Sequence, residues 1–424
     1  MLVNPLMEAA VPAAAIALAS GIWWTRRPKG AKRVEPQPAR AVEPVPQTSA
    51  PLPPAPEVAT RIIVGVSPDQ PAFELALTTD DAAFEQAAPL STNGRLGLMS
   101  RMSACLQAAP SLLVQQAHQG RHLMEVVINN PLANSANGSH YLPYATGANG
   151  RIIEQAKLLK PENLSSLVNT AAVWQVASVV VAQKHLADIS AKLDEIKQGI
   201  DDLKGLYQDT LDGDIEGTYR YLRTVAKSFE LGEVPQFARV ELETCRRELL
   251  QTESALLRMF KRRLNQTIEH KETVGTEDLL KDTLARYNEL DKITTSLMTC
   301  FKTEALAWHV LSLFPGEEAM AQVWKEETIE SMAAFAQMQT KIKETALVDV
   351  GRFKSWFNLE STLEERRAQV TRQAAQTAFA IDHSASQFQS GMDMTALRLE
   401  HNNDSIRLGV EIIDGQIQQV RVMA

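Results

Sequence analysis

From residue 161 onward the hydrophobic positions recur at helical spacing. Pro161-Glu162-Asn163 reads as a helix start, and an apolar run follows from Leu167 to Ala182. The pattern then tightens to Leu186, Ile189, Leu193, Ile196, Ile200, Leu203 and Tyr207, with steps alternating between three and four. That is a heptad seam along one side of a helix, and it predicts a coiled-coil segment. A helix over 161–210 would be a rod of roughly 75 Å at the usual rise per residue. Leu211-Asp212-Gly213 predicts a break. Helical patterns continue over 214–230, 236–270, 276–313, 317–346 and 359–390, punctuated by Gly232 and Pro235, Val274-Gly275, Pro315-Gly316 and Gly351.

Extended patterns lie on either side of this helical block. Arg61–Val66, Leu123–Ile128 and Tyr141–Thr146 are short β-type runs, and Asn149-Gly150 between Tyr141–Thr146 and 151–158 is a hairpin signal. Helical runs at 95–108 and 111–118 fall between them. At the other end, 405–413 and 416–422 flank Asp414-Gly415, a second hairpin signal. A lone hairpin is marginal in water, so this one is expected to pair with the strands of 59–160.

Before residue 59 the pattern is of another kind. Ala9–Trp24 is apolar but short of the ~20 residues a spanning helix needs. Ile16, Leu18, Ile22, Trp23 and Trp24, followed by Arg26 and Arg27, are the features of a membrane anchor with its basic flank in the cytoplasm. A cleaved signal peptide competes, with Ala17-Leu18-Ala19 as the cleavage site, but the basic n-region is missing; an untethered amphiphilic N-terminus is the third reading. Prolines crowd residues 28–58, which reads as an extended linker. The expected organisation is therefore an anchor at 1–27, a linker at 28–58, an α+β domain at 59–160, a helix bundle at 161–404 and a hairpin at 405–424. In fold class this is mainly α: a long-helix bundle with a coiled-coil segment, a small α+β domain and a C-terminal β-hairpin, preceded by an N-terminal membrane helix.

Composition narrows the function more by exclusion than by assignment. The apolar fraction of 45% allows a sizeable core, and a net charge of −8 argues against a general nucleic-acid binder. Cys105, Cys245 and Cys300 are too few and too scattered for a disulfide framework or a zinc site. Asp212-x-Asp214-x-Glu216-Gly217 imitates the start of a calcium loop but puts Arg223 where the bidentate glutamate belongs. His118 and His122 have metal-pair spacing for a helix, with no third ligand. Arg246, Arg247, Arg258, Lys261, Arg262 and Arg263 form a basic side of one helix, read as solvated. No phosphate loop, nucleophile elbow or metalloprotease motif occurs, so no catalytic, cofactor or metal residue is expected.

The heptad carries Lys192, Lys197 and Lys204 beside its seam, which would set like charges together in a parallel homodimer. Packing within the chain is the expectation. Val173, Trp174, Val176, Val179, Val180 and Val181 form either a core helix or a conditional membrane segment. The leading functional expectation is a non-enzymatic scaffold or interaction protein, held at the inner membrane by a single pass, with its N-terminus outside and its bulk cytoplasmic. Its partners would be the bilayer, through the N-terminus, and a protein or a second copy of itself; neither nucleic acid nor metal is expected. One alternative is a pore-forming type of effector that exposes 167–182 in defence or toxicity. Another is an α+β module binding a small ligand.

Overall fold

The computed structural model describes residues 61–67, 69–89, 102, 120–131, 142–146, 170–203, 209–233, 237–269, 275–314, 316–401, 404–414 and 416–423. The chain divides into two units, Met1–Pro54 and Ala55–Ala424, and all of these residues belong to the second. They are mainly helical, with one small antiparallel sheet built from both ends of the unit. The anchor residues Ile16, Leu18, Ile22, Trp23, Trp24, Arg26 and Arg27 lie outside the described residues, as do 95–101, 103–118 and 151–158.

The strands are β1 (Arg61–Ser67), β2 (Gln70–Thr78), β3 (Ala88–Pro89), β4 (Arg121–Ile128), β5 (Leu142–Thr146), β6 (Ile406–Ile413) and β7 (Gln416–Met423). Their order in the sheet is β3-β7-β6-β4-β2-β1-β5, with every neighbouring pair antiparallel. The hairpin β6–β7 turns at Asp414, whose φ of 51° is the left-handed backbone such a turn requires. β6 then pairs along β4 over Arg121↔Ile413 to Ile128↔Ile406.

Register separates the two faces of the sheet, because directly opposed residues share a face. Ile62, Leu75, Val126 and Leu408 lie in one row, and Val64, Phe73, Ile128 and Ile406 in the next; all are buried in the main core. The opposite face carries the charges. Arg61 pairs with Glu74, Arg407 with Glu125, and Arg121 with Glu411 and Asp81. A short helix, α1 (Asp81–Gln86), covers part of this charged face; Asp80 caps it by accepting from the Ala83 amide. Gly409 is required beneath it: a Cβ there would come within 2.7 Å of the Phe84 ring.

The remaining helices are α2 (Thr170–Leu203), α3 (Asp209–Glu230), α4 (Ala238–Leu264), α5 (Glu277–Leu311), α6 (Glu318–Ala336), α7 (Met338–Val350) and α8 (Glu360–His401). At the centre is α5, against which α2, α3, α4, α6 and α8 all pack. Its C-terminal half is buried on every side, from Ser296 to Leu311 except Lys302. A helix apolar around its whole circumference is one surrounded by others. In turn, α7 and α8 pair as a hairpin.

Two expectations about local structure are corrected. Leu211-Asp212-Gly213 does not break the chain but lies in the first turns of α3. Ile215, Leu222, Val225 and Phe229 supply the buried stripe of α3, and Asp212 and Asp214 sit at the helix end that favours negative charge. Their carboxylates accept from the Ser296 and Thr252 hydroxyls, so the calcium-loop look-alike is helical. His122 lies on strand β4, so the helical metal-pair spacing noted for it does not apply. The pattern at 317–346 is divided into α6 and α7 at Gln337, which keeps helical dihedrals.

Candidate functional site

The stretch singled out in the sequence becomes α2, and its two halves do different things. Val173, Val176, Val179, Val180 and Val181 are all buried in the main core, and Trp174 meets Phe73 of the sheet edge to face with ring centroids 6.4 Å apart. Trp174 thus ties the apolar run to the buried face of the sheet. Among the described residues no helix is long and apolar enough to cross a membrane. In the second half Ile189, Leu193, Ile196, Ile200 and Leu203 are buried, and Leu186 is half-buried against the same core. The seam therefore packs inside the bundle; Tyr207 lies outside the described residues. Close approach to α5 is set at Gly199, where a Cβ would lie 2.5 Å from the Thr299 hydroxyl.

Just past the apolar run a buried polar network joins α2, α5 and α8. The ammonium of Lys192 lies 2.7 Å from Thr395 Oγ1, 3.1 Å from His309 Nδ1 and 3.1 Å from the Asp188 carboxylate. An ammonium has three hydrogens, and three acceptors face it. His309 Nδ1 is then an acceptor, so its proton sits on Nε2 and is donated to His185 Nδ1 at 3.0 Å. Thr395 passes the chain on to the Gly391 carbonyl, and Arg398 ties Asp188 to α8 at 2.9 Å. Burial is the first cause of every shift here. It lowers the His185 pKa to about 4, holds His309 well below its ordinary value and lowers Lys192. Both imidazoles are neutral, and the network is a clamp between helices.

Beyond that clamp α2 and α8 leave a groove between them, floored by α5. Its apolar end is a pocket of about 120 Å³ lined by Ile196, Met298, Ala305, Phe388 and Met392, with Gly391 on its rim. Glu195, Met298, Lys302 and Ser384 continue it into a more polar pocket of about 540 Å³ that reaches Asp291 and Gln373. Along α5 the groove runs from Asp291 to Ala305, about 21 Å at helical rise. Lys302 of the floor pairs with Glu195 of α2 at 2.6 Å. Methionines on an apolar floor adapt to more than one shape of occupant.

The other buried ionic groups are internal fastenings. Arg246, which the sequence pattern places on a solvated basic face, turns inward from α4, pairs with fully buried Glu304 of α5 and lies over the Trp324 ring of α6 at 5.7 Å. The side chains at 242, 245, 249, 252, 253, 256 and 260 make this the buried face of α4, so position 246 falls inside. Burial raises Glu304 to about 7 against the pull of Arg246, and raises Glu253 beside it. The Cys300 thiol lies 3.7 Å from Glu304 and is pushed well up by the same burial, which makes it a poor nucleophile. Arg286 and Tyr287 hold Asp349 of α7 in the same manner. Sequence reasoning missed His185, His309 and Glu304; the near absence of charge from Ile293 to Leu313 was a signal for the burial of Glu304 and His309, and no such signal marks His185.

Among the described residues no three His, Cys, Asp or Glu side chains are arranged to hold a metal ion. No protein-family model, curated protein or solved structure matches the chain.

Proposed function

We propose that this chain is a non-catalytic interaction protein whose helical bundle receives an amphipathic helix of a protein partner in the groove between α2 and α8. The groove carries the reading. It is long enough for about four helical turns, apolar at one end, polar at the other, and bordered by two helices already held apart on α5. The inward use of the heptad seam supports it further, because that face is not left for a partner. In the same reading, residues 1–27 tether the protein to an inner membrane, with residues 28–58 as spacer and the bulk cytoplasmic; Trp23-Trp24 followed by Arg26-Arg27 supports that orientation.

The test is to fill the groove. A Cβ at Gly391 meets nothing within 4 Å and Gly391 lines the apolar end, so Gly391→Trp sets a bulky ring at that end without strain on the fold. A photo-crosslinking amino acid at Gln387, on the lining, should give a discrete adduct in cells that Gly391→Trp abolishes. Adducts unaffected by Gly391→Trp would refute the reading. The pore-forming alternative needs Val173, Trp174 and Val176 to leave the main core, and their burial supports the interaction reading over it. For a small-ligand role of the sheet, the packed inner face leaves the charged face as the surface to examine.

A further inference from the structure

The connection between α7 and α8 is the most exposed apolar part of the described chain. Trp356 is 101% exposed, meaning nothing shields any part of its side chain. Phe357 and Leu359 beside it, and Leu347 and Val348 one turn back on α7, are also exposed. Singly exposed apolar residues need no explanation, but several gathered at one helix-hairpin end mark a contact site.

The structure explains why this end is reached. Phe353 is fully buried, and Arg367 of α8 donates to its carbonyl. Arg352 donates to the Ile268 carbonyl. The loop is fixed at Arg352 and Phe353, and the residues after them project from a fixed base. From there α8 runs 42 residues, about 63 Å, to the strand β6. The apolar end and the sheet are thus at opposite ends of this helix.

We infer that the α7–α8 end inserts into the headgroup boundary of an anionic lipid bilayer. Three observations favour a bilayer over a protein pocket. The side chains come from two successive helix ends and the loop joining them, on a projecting rather than a concave surface, which suits a flat, yielding partner. Tryptophan is the residue most at home at the headgroup level. One exposed cation stands at this end: Lys354 lies two residues before Trp356, while Glu360 is paired with Arg367 at 2.6 Å and Glu364 and Glu365 lie a turn further along α8. In a chain of net charge −8, Lys354 beside the aromatic rings is the cation that attraction to anionic lipid can use. The contact is separate from the helix groove and from any tether at the N-terminus.

Hydrogen exchange on the full chain tests this residue by residue, with and without vesicles of equimolar phosphatidylcholine and phosphatidylglycerol. Amides in 354–359 should be protected when vesicles are added. Moving each aromatic ring into the interface is worth about tenfold in partition. The double variant Trp356→Ser/Phe357→Ser should therefore lose the protection, with contact at this end weakened about a hundredfold. Both side chains are solvent-exposed, so its melting temperature should match the wild type. No vesicle-dependent protection in the wild type would overturn the inference. Protection that appears without vesicles and grows with protein concentration would overturn it too, in favour of a second copy of the chain.

Discussion

Trp174→Ala is the substitution that best distinguishes a packed α2 from one held ready for release. Trp174 is 7% exposed, in a run where Val176 and Val179 are fully buried. Its ring meets Phe73 at 88°, so part of its contribution is an oriented aromatic pair worth about 0.5–1.5 kcal/mol. Truncation to alanine in a core that relaxes only partly should cost about 3–5 kcal/mol in all. Against the roughly 5–15 kcal/mol of a typical domain that is about a fifth or more, so the effect is not subtle. Trp174→Phe keeps a ring facing Phe73 and should recover part of the loss. The assay is urea denaturation of the full chain followed by far-ultraviolet circular dichroism, comparing midpoints at unchanged slope. A double cycle with Phe73→Leu should show coupling of about 1 kcal/mol. A Trp174→Ala loss below about 1 kcal/mol would mean the run is loosely held, and would refute the packed core.

Three further outcomes follow from particular residues. Gly213 and Gly217 are exposed within α3 with open space where a Cβ would stand, so Gly213→Ala and Gly217→Ala should each stabilise by about 0.5–1 kcal/mol; loss of stability in thermal melts would mean the helix starts after them. His185 and Glu304 pull the pH dependence in opposite directions. His185 takes its proton at about 4 when folded against 6.5 unfolded, so it costs stability as pH falls through that window. Glu304 keeps its proton up to about 7 against 4.5 unfolded, so it costs stability as pH rises from 4.5 to 7. Glu304→Gln removes the second effect, and its melting temperature should fall more steeply than the wild type's between pH 6.5 and pH 4.5; overlapping profiles would contradict the assignment. The thiols of Cys245, raised to about 11, and of buried Cys300 should resist a thiol reagent at neutral pH until the chain is unfolded.

Local chemistry made the helical character and the extended ends legible. The helices now numbered α4, α5 and α6 start within a few residues of their patterns, since Gly232, Gly275 and Gly316 adopt the left-handed backbone that stops a helix. Strand β2 went unread although Phe73, Leu75 and Leu77 alternate with Glu74 and Ala76, because Pro71 at its start reads as a breaker. The sequence also pointed to α2 as the organising helix, whereas α5 is the one that is surrounded. Being surrounded depends on where five other helices lie, and no pattern within α5 states that. The same holds for Arg246, whose inward turn depends on Glu304, 58 positions away, and for Trp356, apolar in sequence and left outside by the hairpin. The groove between α2 and α8 has no counterpart in any one segment.

The most direct test of the interaction reading is a cryo-electron microscopy map of the full chain, crosslinked at Gln387 to its cellular partner. A helical rod lying along α5 between α2 and α8, over Met298 and Phe388, is the predicted result. A partner seated elsewhere, with that groove empty, would contradict it.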